Sequence, residues 1–453
     1  MPKKKTALTI EERLQQALVP AEEQPYEVPE NWVWVRLGAI AEIVTGGTPS
    51  KKHPEYYGGN FPFYKPSDLD QGRLTYDASE YLSEEGKKVS RIIPKNSTAV
   101  CCIGSIGKCG YLMCEGTTNQ QINSAIPKIN SLCLYYYLCT ENFVQNLFSM
   151  ASATTIAIVN KSKMESCAFP LPPLSEQQRI VERIEELFAK LDEAKERLQE
   201  VVDSFAVRKA AILHKAFTGE LTKQWRLENG VSDESWEEKK GEEFFEYVTS
   251  GSRGWAKYYS DKGSIFVRMG NLNHGTIELD FSDIQYVELP DQVEGQRSKL
   301  QKNDILISIT ADVGMIGLVR EDMDAYINQH VALARPKDNL YAEFLAWYFV
   351  SDVGLKQMQN KQRGATKIGL GLQDIRNIIL KIPTLPEQHE IVRLIDALLA
   401  RERAAQQAAE QALASIDLMK KSILARAFRG ELSTNKASEA SALELLKQVL
   451  AEN

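Results

Sequence analysis

Residues 172–221 read PPLSEQQRIVERIEELFAKLDEAKERLQEVVDSFAVRKAAILHKAFTGEL, and residues 383–432 read PTLPEQHEIVRLIDALLARERAAQQAAEQALASIDLMKKSILARAFRGEL. The two segments align without a gap, and both run from a Glu-Gln pair near the start to a Gly-Glu-Leu exit. Between these ends, apolar residues recur in steps of three and four, as they do on the seam of a coiled-coil helix. We therefore predict two similar long helices that pair antiparallel.

The predicted seam consists of one apolar stripe on each helix. Its members are Ile180, Ile184, Leu187, Leu191, Leu198, Phe205 and Ile212 in the first helix, and Ile391, Ile395, Leu398, Ile416 and Ile423 in the second. The second seam also contains Glu402 and many alanines, whose small side chains allow close approach of the larger first seam. About 40 residues at 1.5 Å each make a rod of roughly 60 Å, which fixes the separation of two attached domains. Ordinary core helices are the alternative interpretation.

The ends of both helices carry start and stop signals. Prolines at 170, 172 and 173 exclude a helix upstream of the first copy. Two spaced pairs predict capping boxes, namely Ser175 with Gln178 and Thr384 with Glu387. Both exits contain a glycine, Gly219 and Gly430, which suits a left-handed C-terminal cap.

A weaker repeat precedes each helix. Trp32 and Thr45 align with Trp236 and Thr249, and the pairs 95–96 and 119–120 align with 302–303 and 328–329. Apolar runs at 97–103 and 305–310 predict buried strands, and aromatic stretches at 132–148 and 340–358 predict helices. We predict an α/β (mixed α+β) fold with a pseudo-two-fold internal repeat of two globular modules and two helices.

The domain boundaries follow from the repeat. We predict an N-terminal helical extension (1–27), a first module (28–171), a first long helix (172–221), a second module (222–382), a second long helix (383–432) and a tail (433–453). The stretch from Thr9 to Leu18 and the tail have no counterpart in the repeat, and we expect both to form short amphipathic helices at the ends of the repeated structure.

Polar loops in the modules are candidate DNA contacts because glycine allows close approach of a backbone to phosphate, while hydroxyl, amide and cationic groups bind phosphates or base edges. The candidates are Thr45, Thr48, Ser50, Lys51, Lys52, Lys65, Ser67, Asp68, Ser105, Lys108, Gln121 and Thr154 in the first module, and Ser250, Ser252, Arg253, Lys257, Arg268, Asn271, Asn273, Thr310, Asp312, Arg363, Thr366 and Lys367 in the second. Each is open to base contact, phosphate contact or neither. Asn119 and Gln120 have the further alternative of a buried pair that fixes a loop.

Composition excludes several classes of protein. No apolar stretch approaches the roughly 18 residues that span a bilayer, and the N-terminus lacks the apolar core of a signal peptide, so we expect a cytoplasmic protein. The net charge of −7 argues against an all-over basic coat, but it leaves local DNA contacts open. Phosphate-binding loops, dinucleotide motifs, zinc-protease motifs, nucleophile elbows and methyltransferase motifs are all absent from the sequence, so we predict no catalytic residue.

All seven cysteines lie between Cys101 and Cys167. An odd, clustered set without a Cys-x-x-Cys pair argues against disulfides and against a zinc site, so we predict no metal and mostly buried, reduced thiols. Three of them align with Ser308, Ile309 and Ile316 in the second module. The repeated module therefore does not depend on thiols at these positions.

The repeated segments resemble the conserved regions of DNA-specificity subunits of type I restriction–modification enzymes. The likeness rests on the proline-rich lead into 174–177, the long helix, the exit at 216–221 followed by Trp225 and Arg226, and the second exit at 427–432. The module starts at 32–46 and 236–251 resemble the starts of target recognition domains. The resemblance covers residues 28–435.

The resemblance implies a division of labour. Each module would read one half of a bipartite, asymmetric double-stranded DNA target, and the antiparallel helices would set the unread spacer. Two adenine-N6 methyltransferase (modification) subunits, and restriction–translocation subunits, would assemble on this chain. S-adenosylmethionine, ATP and magnesium would then belong to those partners, so that this chain binds no cofactor, performs no chemistry and has no membrane partner. Two rival hypotheses are an enzyme with an unrecognised site and a coiled-coil adaptor that does not bind nucleic acid.

Overall fold

A computed structural model describes residues 9–152, 157–290, 295–362 and 369–452. The chain divides into two compact units. The first unit comprises residues 1–198 and 411–453, and the second comprises residues 199–410. Each unit therefore combines one module with parts of both long helical segments.

Among the described residues, nine strands and six short α-helices precede the first long helix. The strands are β1 (Val33–Arg36), β2 (Ala41–Thr45), β3 (Tyr57–Tyr64), β4 (Glu80–Leu82), β5 (Thr98–Cys101), β6 (Cys109–Tyr111), β7 (Thr117–Thr118), β8 (Ile122–Pro127) and β9 (Ala168–Leu171). The helices are α1 (Ile10–Ala17), α2 (Leu37–Ile40), α3 (Glu84–Lys88), α4 (Ser131–Leu138), α5 (Glu141–Met150) and α6 (Lys161–Glu165).

The rest of the chain repeats this pattern after three helices, α7 (Leu174–Asp203), α8 (Phe205–Phe217) and α9 (Lys223–Asn229). The strands are β10 (Glu237–Lys240), β11 (Phe245–Ser250), β12 (Tyr259–Ser260), β13 (Ser264–Val267), β14 (Tyr286–Val287), β15 (Ile305–Ser308), β16 (Ile316–Leu318), β17 (Ala325–Ile327), β18 (Val331–Pro336) and β19 (Ile379–Ile382). The helices are α10 (Gly241–Phe244), α11 (Ala342–Val350), α12 (Asp352–Asn360), α13 (Leu372–Arg376), α14 (Leu385–Ala427) and α15 (Ala442–Ala451).

The two modules share one sheet topology, which confirms the predicted repeat and the mixed α/β class. The main sheet of the first unit has the antiparallel order β2–β8–β5–β6, and that of the second has the order β11–β18–β15–β16. A smaller sheet in each unit contains a parallel pair, β3 with β7 and β13 with β17. Asn96 and Asn303 both adopt positive φ, and the N–H of each donates 2.7 Å to a carbonyl, that of Leu112 or Val319.

The seven cysteine side chains differ in exposure. Cys101, Cys102, Cys133 and Cys167 are buried, whereas Cys109 and Cys139 are half-buried and Cys114 is exposed. Burial raises the pKa of Cys102 to about 12, which keeps this thiol protonated and unreactive at neutral pH. Among the residues that the structure describes, no three His, Cys, Asp or Glu side chains are grouped so as to hold a metal ion.

The predicted first long helix is two helices. The helical pattern breaks between α7 and α8 at Ser204, whose hydroxyl donates 2.6 Å to the carbonyl of Glu200. A serine hydroxyl that bonds to a carbonyl in the preceding turn bends a helix. The periodic pattern of apolar residues continues across this position, so it gives no sign of the break. The second helix, α14, is continuous over 43 residues. Within the described parts of the chain, no helix is both long enough and apolar enough to cross a membrane.

The helices pair antiparallel inside each unit. In the first unit, Ile180 and Ile184 from the start of α7 share a core with Leu424 and Phe428 from the end of α14 and its exit. In the second unit, Leu213 and Phe217 from α8 share a core with Ile391 and Ile395 from the start of α14. The seam residue Glu402 accepts 2.6 Å from Arg208 Nε, so its charge is compensated across the helix pair.

Every predicted seam residue is at least half-buried. Ile180, Ile184, Ile391, Ile395 and Ile416 are buried, and the half-buried members are Leu187, Leu191, Leu198, Phe205, Ile212, Leu398 and Ile423. The glycine exits are as predicted, with φ of 81° at Gly219 and 75° at Gly430.

The predicted capping boxes are wrong. Helix α7 begins at Leu174, so Ser175 lies inside the helix rather than before it. Glu387 turns its carboxylate into the core, where Oε1 accepts 2.7 Å from Thr222 Oγ1, 2.7 Å from Arg226 Nη1 and 3.1 Å from Trp236 Nε1. The Glu387 carboxylate therefore accepts hydrogen bonds from buried side chains, and it does not cap the start of the helix as the local sequence pattern predicts.

Glu176 and Glu387, the anchor carboxylates, hold the same place in the two units. Both are fully buried, and each accepts a hydrogen bond from a tryptophan near the start of its module. Glu176 accepts 2.7 Å from Trp32 Nε1 and 2.8 Å from Asn435 Nδ2. Each anchor therefore joins the module, the start of a long helix, and the segment that follows the opposite helix.

The N-terminal and C-terminal segments form the predicted short helices, α1 and α15. They lie together in the first unit, where Arg13 Nη1 donates 3.1 Å to the carbonyl of Leu450. Arg179 at the start of α7 binds Glu439 through two hydrogen bonds of 2.8 and 2.9 Å. The tail is thus fastened to the long helix by charge as well as by apolar packing.

Candidate nucleic-acid interface

Four loops of the first module meet at one edge of its sheets. The N–H groups of Gly46 and Gly47 donate to the carbonyls of Ile122 and Thr118, at 2.9 and 2.8 Å. The N–H of Asn119 donates 3.1 Å to the carbonyl of Tyr64. These backbone bonds tie the loop after β2 and the loop after β3 to the segment 118–122.

The loop 103–108 joins the same edge through Cys102 just before it, whose N–H donates 2.7 Å to the carbonyl of Gln121. A Cβ at Gly46 would collide with the carbonyls of Thr118 and Asn119, so this position requires glycine. The four loops, although distant in sequence, therefore form one surface.

The second module builds the same surface with different residues. The N–H of Asn328 donates 3.1 Å to the carbonyl of Val267, and that of Ile309 donates 3.0 Å to the carbonyl of His330. A Cβ at Gly251 would collide with the carbonyl of Ile327, as in the first module. We name these two sets of loops the loop edges: 45–52, 65–68, 103–108 and 119–121, and 249–257, 268–273, 310–314 and 328–330.

Asp68 and Asn271 fix the second loop of each edge. Asp68 is buried, and its carboxylate accepts 2.7 Å from the N–H of Lys65 and 3.0 Å from the N–H of Ser79. Asn271 is buried, and its side-chain oxygen accepts 2.9 Å from the N–H of Arg268. The same four-residue turn therefore recurs, and these two side chains support the loop instead of facing solvent.

Three predicted cations already have carboxylate partners. Lys65 lies 2.8 Å from Glu80, Lys108 lies 2.7 Å from Asp70, and Arg268 lies 2.8 Å from Asp283. These cations are less suited to phosphate than Lys51, Lys52, Arg253 and Lys257, which are exposed and have no carboxylate partner among the described residues.

The segments 119–121 and 328–330, which begin with the aligned Asn-Gln pair, are polar and hydrogen-bonded in both modules. Asn119 is buried, and its Nδ2 donates 3.1 Å to Gln121 Oε1, which supports the loop-fixing alternative for Asn119. The residue equivalent to Gln121 is His330, whose Nδ1 lies 2.6 Å from Thr310 Oγ1. The two edges therefore share a backbone path and differ in the side chains that they present.

Comparison with known proteins supports the same reading of the repeat. The family model of the type I restriction modification DNA specificity domain matches residues 29–203 and 233–412, which together make up most of the chain. The chain belongs to the family of type I restriction–modification specificity subunits.

Relatives of this specificity subunit match along most of its length. The specificity subunit of the type I restriction enzyme EcoBI from Escherichia coli is 29% identical, over 94% of this chain and 93% of its own. The EcoKI specificity subunit from E. coli strain K12 is 25% identical, over 94% of this chain and 96% of its own. The crystal structure of the HsdS subunit from Thermoanaerobacter tengcongensis has a TM-score of 0.65 at 19% identity and covers 90% of this chain and 99% of its own, which shows a shared fold.

The remaining predicted residues of the specificity subunit fall into three groups. Thr48, Ser50, Ser67, Ser105, Asn273 and Asp312 are exposed on the loop edges, while Thr45, Ser250, Ser252 and Thr310 are half-buried there. Asp312 Oδ1 lies 2.8 Å from His274 Nε2. Thr154, Arg363, Thr366 and Lys367 lie outside the described residues.

Sequence reasoning missed His330 on the second loop edge and three polar residues that contact the loop edges from outside, namely Arg91, His274 and Arg297. Arg91 Nη1 donates to the carbonyl of Thr45, and Arg297 Nε donates 3.2 Å to Thr249 Oγ1. These arginines lie in variable stretches ahead of β5 and β15, where the internal alignment gives no signal. His330 was open to detection, since it directly follows the aligned Asn-Gln pair.

Proposed function

We propose that this specificity subunit reads a bipartite, asymmetric sequence in double-stranded DNA, one half-site for each module (28–171 and 222–382). The observation that supports the proposal most directly is the recurrence of the loop edge in both units, with one backbone path and two sets of side chains. A shared path gives both modules the same way of approaching DNA, while different side chains give them different preferred bases.

The exposed cations and hydroxyls of the loop edges contact phosphates, and the side chains that differ between modules contact base edges in the major groove. Lys51 and Lys52 in the first module, and Arg253 and Lys257 in the second, are the phosphate candidates because of their exposure. Gln121 and Thr310 are candidates for base contact. The carboxylate-paired cations Lys65, Lys108 and Arg268 contribute less.

The long helical segments (172–221 and 383–432) set the length of the unread spacer and carry the partner subunits. Support comes from α14, whose 43 uninterrupted residues contribute to both units. The partners are two adenine-N6 methyltransferase subunits, which restriction–translocation subunits join. S-adenosylmethionine, ATP and magnesium act in those partners, and the target adenine flips into the methyltransferase site. The chain itself performs no chemistry, and the complex works in the cytoplasm.

The test is methylation sequencing of single DNA molecules from a modification-free host that expresses this chain together with its methyltransferase partner. We expect a new bipartite motif, methylated at adenine on both strands and absent when this chain is omitted. An assembled complex that yields no motif would contradict sequence reading and favour the adaptor hypothesis. Cleavage or methylation of DNA by the pure chain alone would instead favour an enzyme.

A further inference from the structure

The loops 45–52 and 249–257 are called the glycine loops here because each contains a glycine that fits against backbone carbonyls. In each unit, an arginine from outside the predicted loops reaches the first residue of the glycine loop. Arg91 Nη1 donates to the carbonyl oxygen of Thr45 in the first, and Arg297 Nε donates 3.2 Å to Thr249 Oγ1 in the second. Both arginines are exposed, and the two threonines are equivalent in the repeat. The modules thus place a guanidinium group at the same point of the loop edge, although the arginines come from stretches that differ in sequence.

The surroundings of Arg297 suit an anion. It lines a cleft of about 660 Å³ together with Arg253, Lys257, Gln329 and the backbone of the glycine loop. Lys257 Nζ lies 4.8 Å from the centroid of the Tyr258 ring, which helps to hold it at the cleft. No carboxylate is found among the described residues of the lining, so the three positive charges of Arg253, Lys257 and Arg297 have no compensating charge among those residues.

We propose that Arg297, and Arg91 at the equivalent place, clamp phosphodiester groups of the DNA backbone beside the glycine loop. This inference rests on the proposed function, and it adds two residues that the sequence pattern does not identify. Among the described residues, the bond to Thr249 engages only Nε of Arg297, so both terminal nitrogens of the planar fork are left for two phosphate oxygens.

Anchoring distinguishes these arginines from Lys51 and Lys52. A side chain already held in place loses less conformational freedom when it binds phosphate than a free lysine does. Because the anchor is the glycine loop itself, a phosphate bound by the arginine also fixes the register of that loop along the duplex.

The test measures binding of arbitrary double-stranded DNA by the full chain in its methyltransferase complex, over a series of potassium chloride concentrations. Each phosphate contact contributes about 0.9 to the slope of log affinity against log salt concentration. We expect Arg297→Ala to reduce the slope by roughly that amount, and Arg91→Ala to do the same. Arg297→Lys should keep the slope, because the charge remains, but should weaken binding through loss of the fork.

Lys299→Ala is the matched control, because it removes one nearby positive charge that already lies 3.0 Å from Asp324. Its slope should equal that of the unchanged protein. Weaker binding by Arg297→Ala with an unaltered slope would show that the arginine only supports the loop, and would overturn the inference. A reduced slope in a complex that methylates no bipartite motif would sustain the phosphate clamp while contradicting the proposed sequence reading.

Discussion

Replacing each anchor carboxylate by glutamine compares two losses of stability. One comes from breaking a buried ion pair, and the other comes from altering a set of neutral hydrogen bonds. Glu387→Gln leaves Arg226, whose side chain is only 7% exposed, with the exposed Asp233 as its remaining carboxylate partner. Breaking a buried pair by removing one charge costs about 3–5 kcal/mol. Glu176 instead binds Trp32, Thr434 and Asn435, all neutral donors, so Glu176→Gln should cost about 1–2 kcal/mol.

Hydrogen exchange of the native chain, read by mass spectrometry on peptides from the start of α7 and of α14, measures these costs in place. Because every 1.4 kcal/mol corresponds to a factor of ten, Glu387→Gln should speed exchange at the start of α14 by about a hundredfold to several thousandfold. Glu176→Gln should speed exchange at the start of α7 by roughly 5–30-fold.

Glu410→Gln provides the control, since Glu410 is exposed on α14 and, among the described residues, accepts only from Gln406, at 3.0 Å. Exchange in this variant should stay within the effect of about 0.5 kcal/mol that is usual for surface changes. Equal acceleration in Glu387→Gln and Glu176→Gln would refute the reasoning, because it would mean that losing Glu387 as a charged partner of Arg226 adds nothing.

Three further outcomes follow from the loop edges and the thiols. Joint replacement of Lys51 and Lys52 by alanine should weaken binding to all DNA sequences and flatten the salt dependence, and an unchanged slope in a binding titration would contradict their phosphate role. His330→Gln should alter the methylated motif in one half-site only, and a change in both half-sites, or in neither, would argue against base contact by this edge. Iodoacetamide at pH 8 should modify the exposed Cys114 quickly, whereas Cys102, with its pKa raised to about 12 by burial, should react only as the pH approaches that value or the chain unfolds; peptide mass spectrometry tells the two apart.

The long helices were within reach of sequence analysis because their signal is periodic and spans many residues. The seam residues from Ile180 to Ile423 are all at least half-buried. The break at Ser204 could not be predicted from the sequence, because it depends on a hydroxyl that bonds to the carbonyl of Glu200 in the preceding turn. A single serine in a helical pattern is equally compatible with an exposed, harmless position.

The role of Glu387 shows why short motifs mislead. Its spacing from Thr384 fits a capping box, but the carboxylate binds groups that lie about 150 or more residues away in sequence, among them Trp236 and Thr222. Sequence analysis aligned Trp32 with Trp236 and found the Glu-Gln pair in both helices, but it treated these as separate repeats. Only the tertiary structure shows that the tryptophan of each module is hydrogen-bonded to the glutamate of a long helix.

The loops could be chosen from glycine and polar residues, and the internal repeat indicated which of them correspond. What sequence could not supply is which polar side chains already have partners. Lys65 and Arg268 looked equivalent to Lys51 and Arg253, but Glu80 and Asp283 lie against the first two. Pairing across 15 residues depends on how the loops fold back, which a local pattern does not encode.

The structure also gives a physical reason why one module can appear twice with two sequence preferences. The loop edges are joined by backbone bonds, such as those from Cys102 to Gln121 and from Ile309 to His330, and by glycines whose neighbours leave no space for a side chain. Backbone bonds of this kind do not depend on which side chain follows. Glutamine at 121 and histidine at 330 can therefore differ without moving the loop, so one backbone frame presents two different sets of side chains.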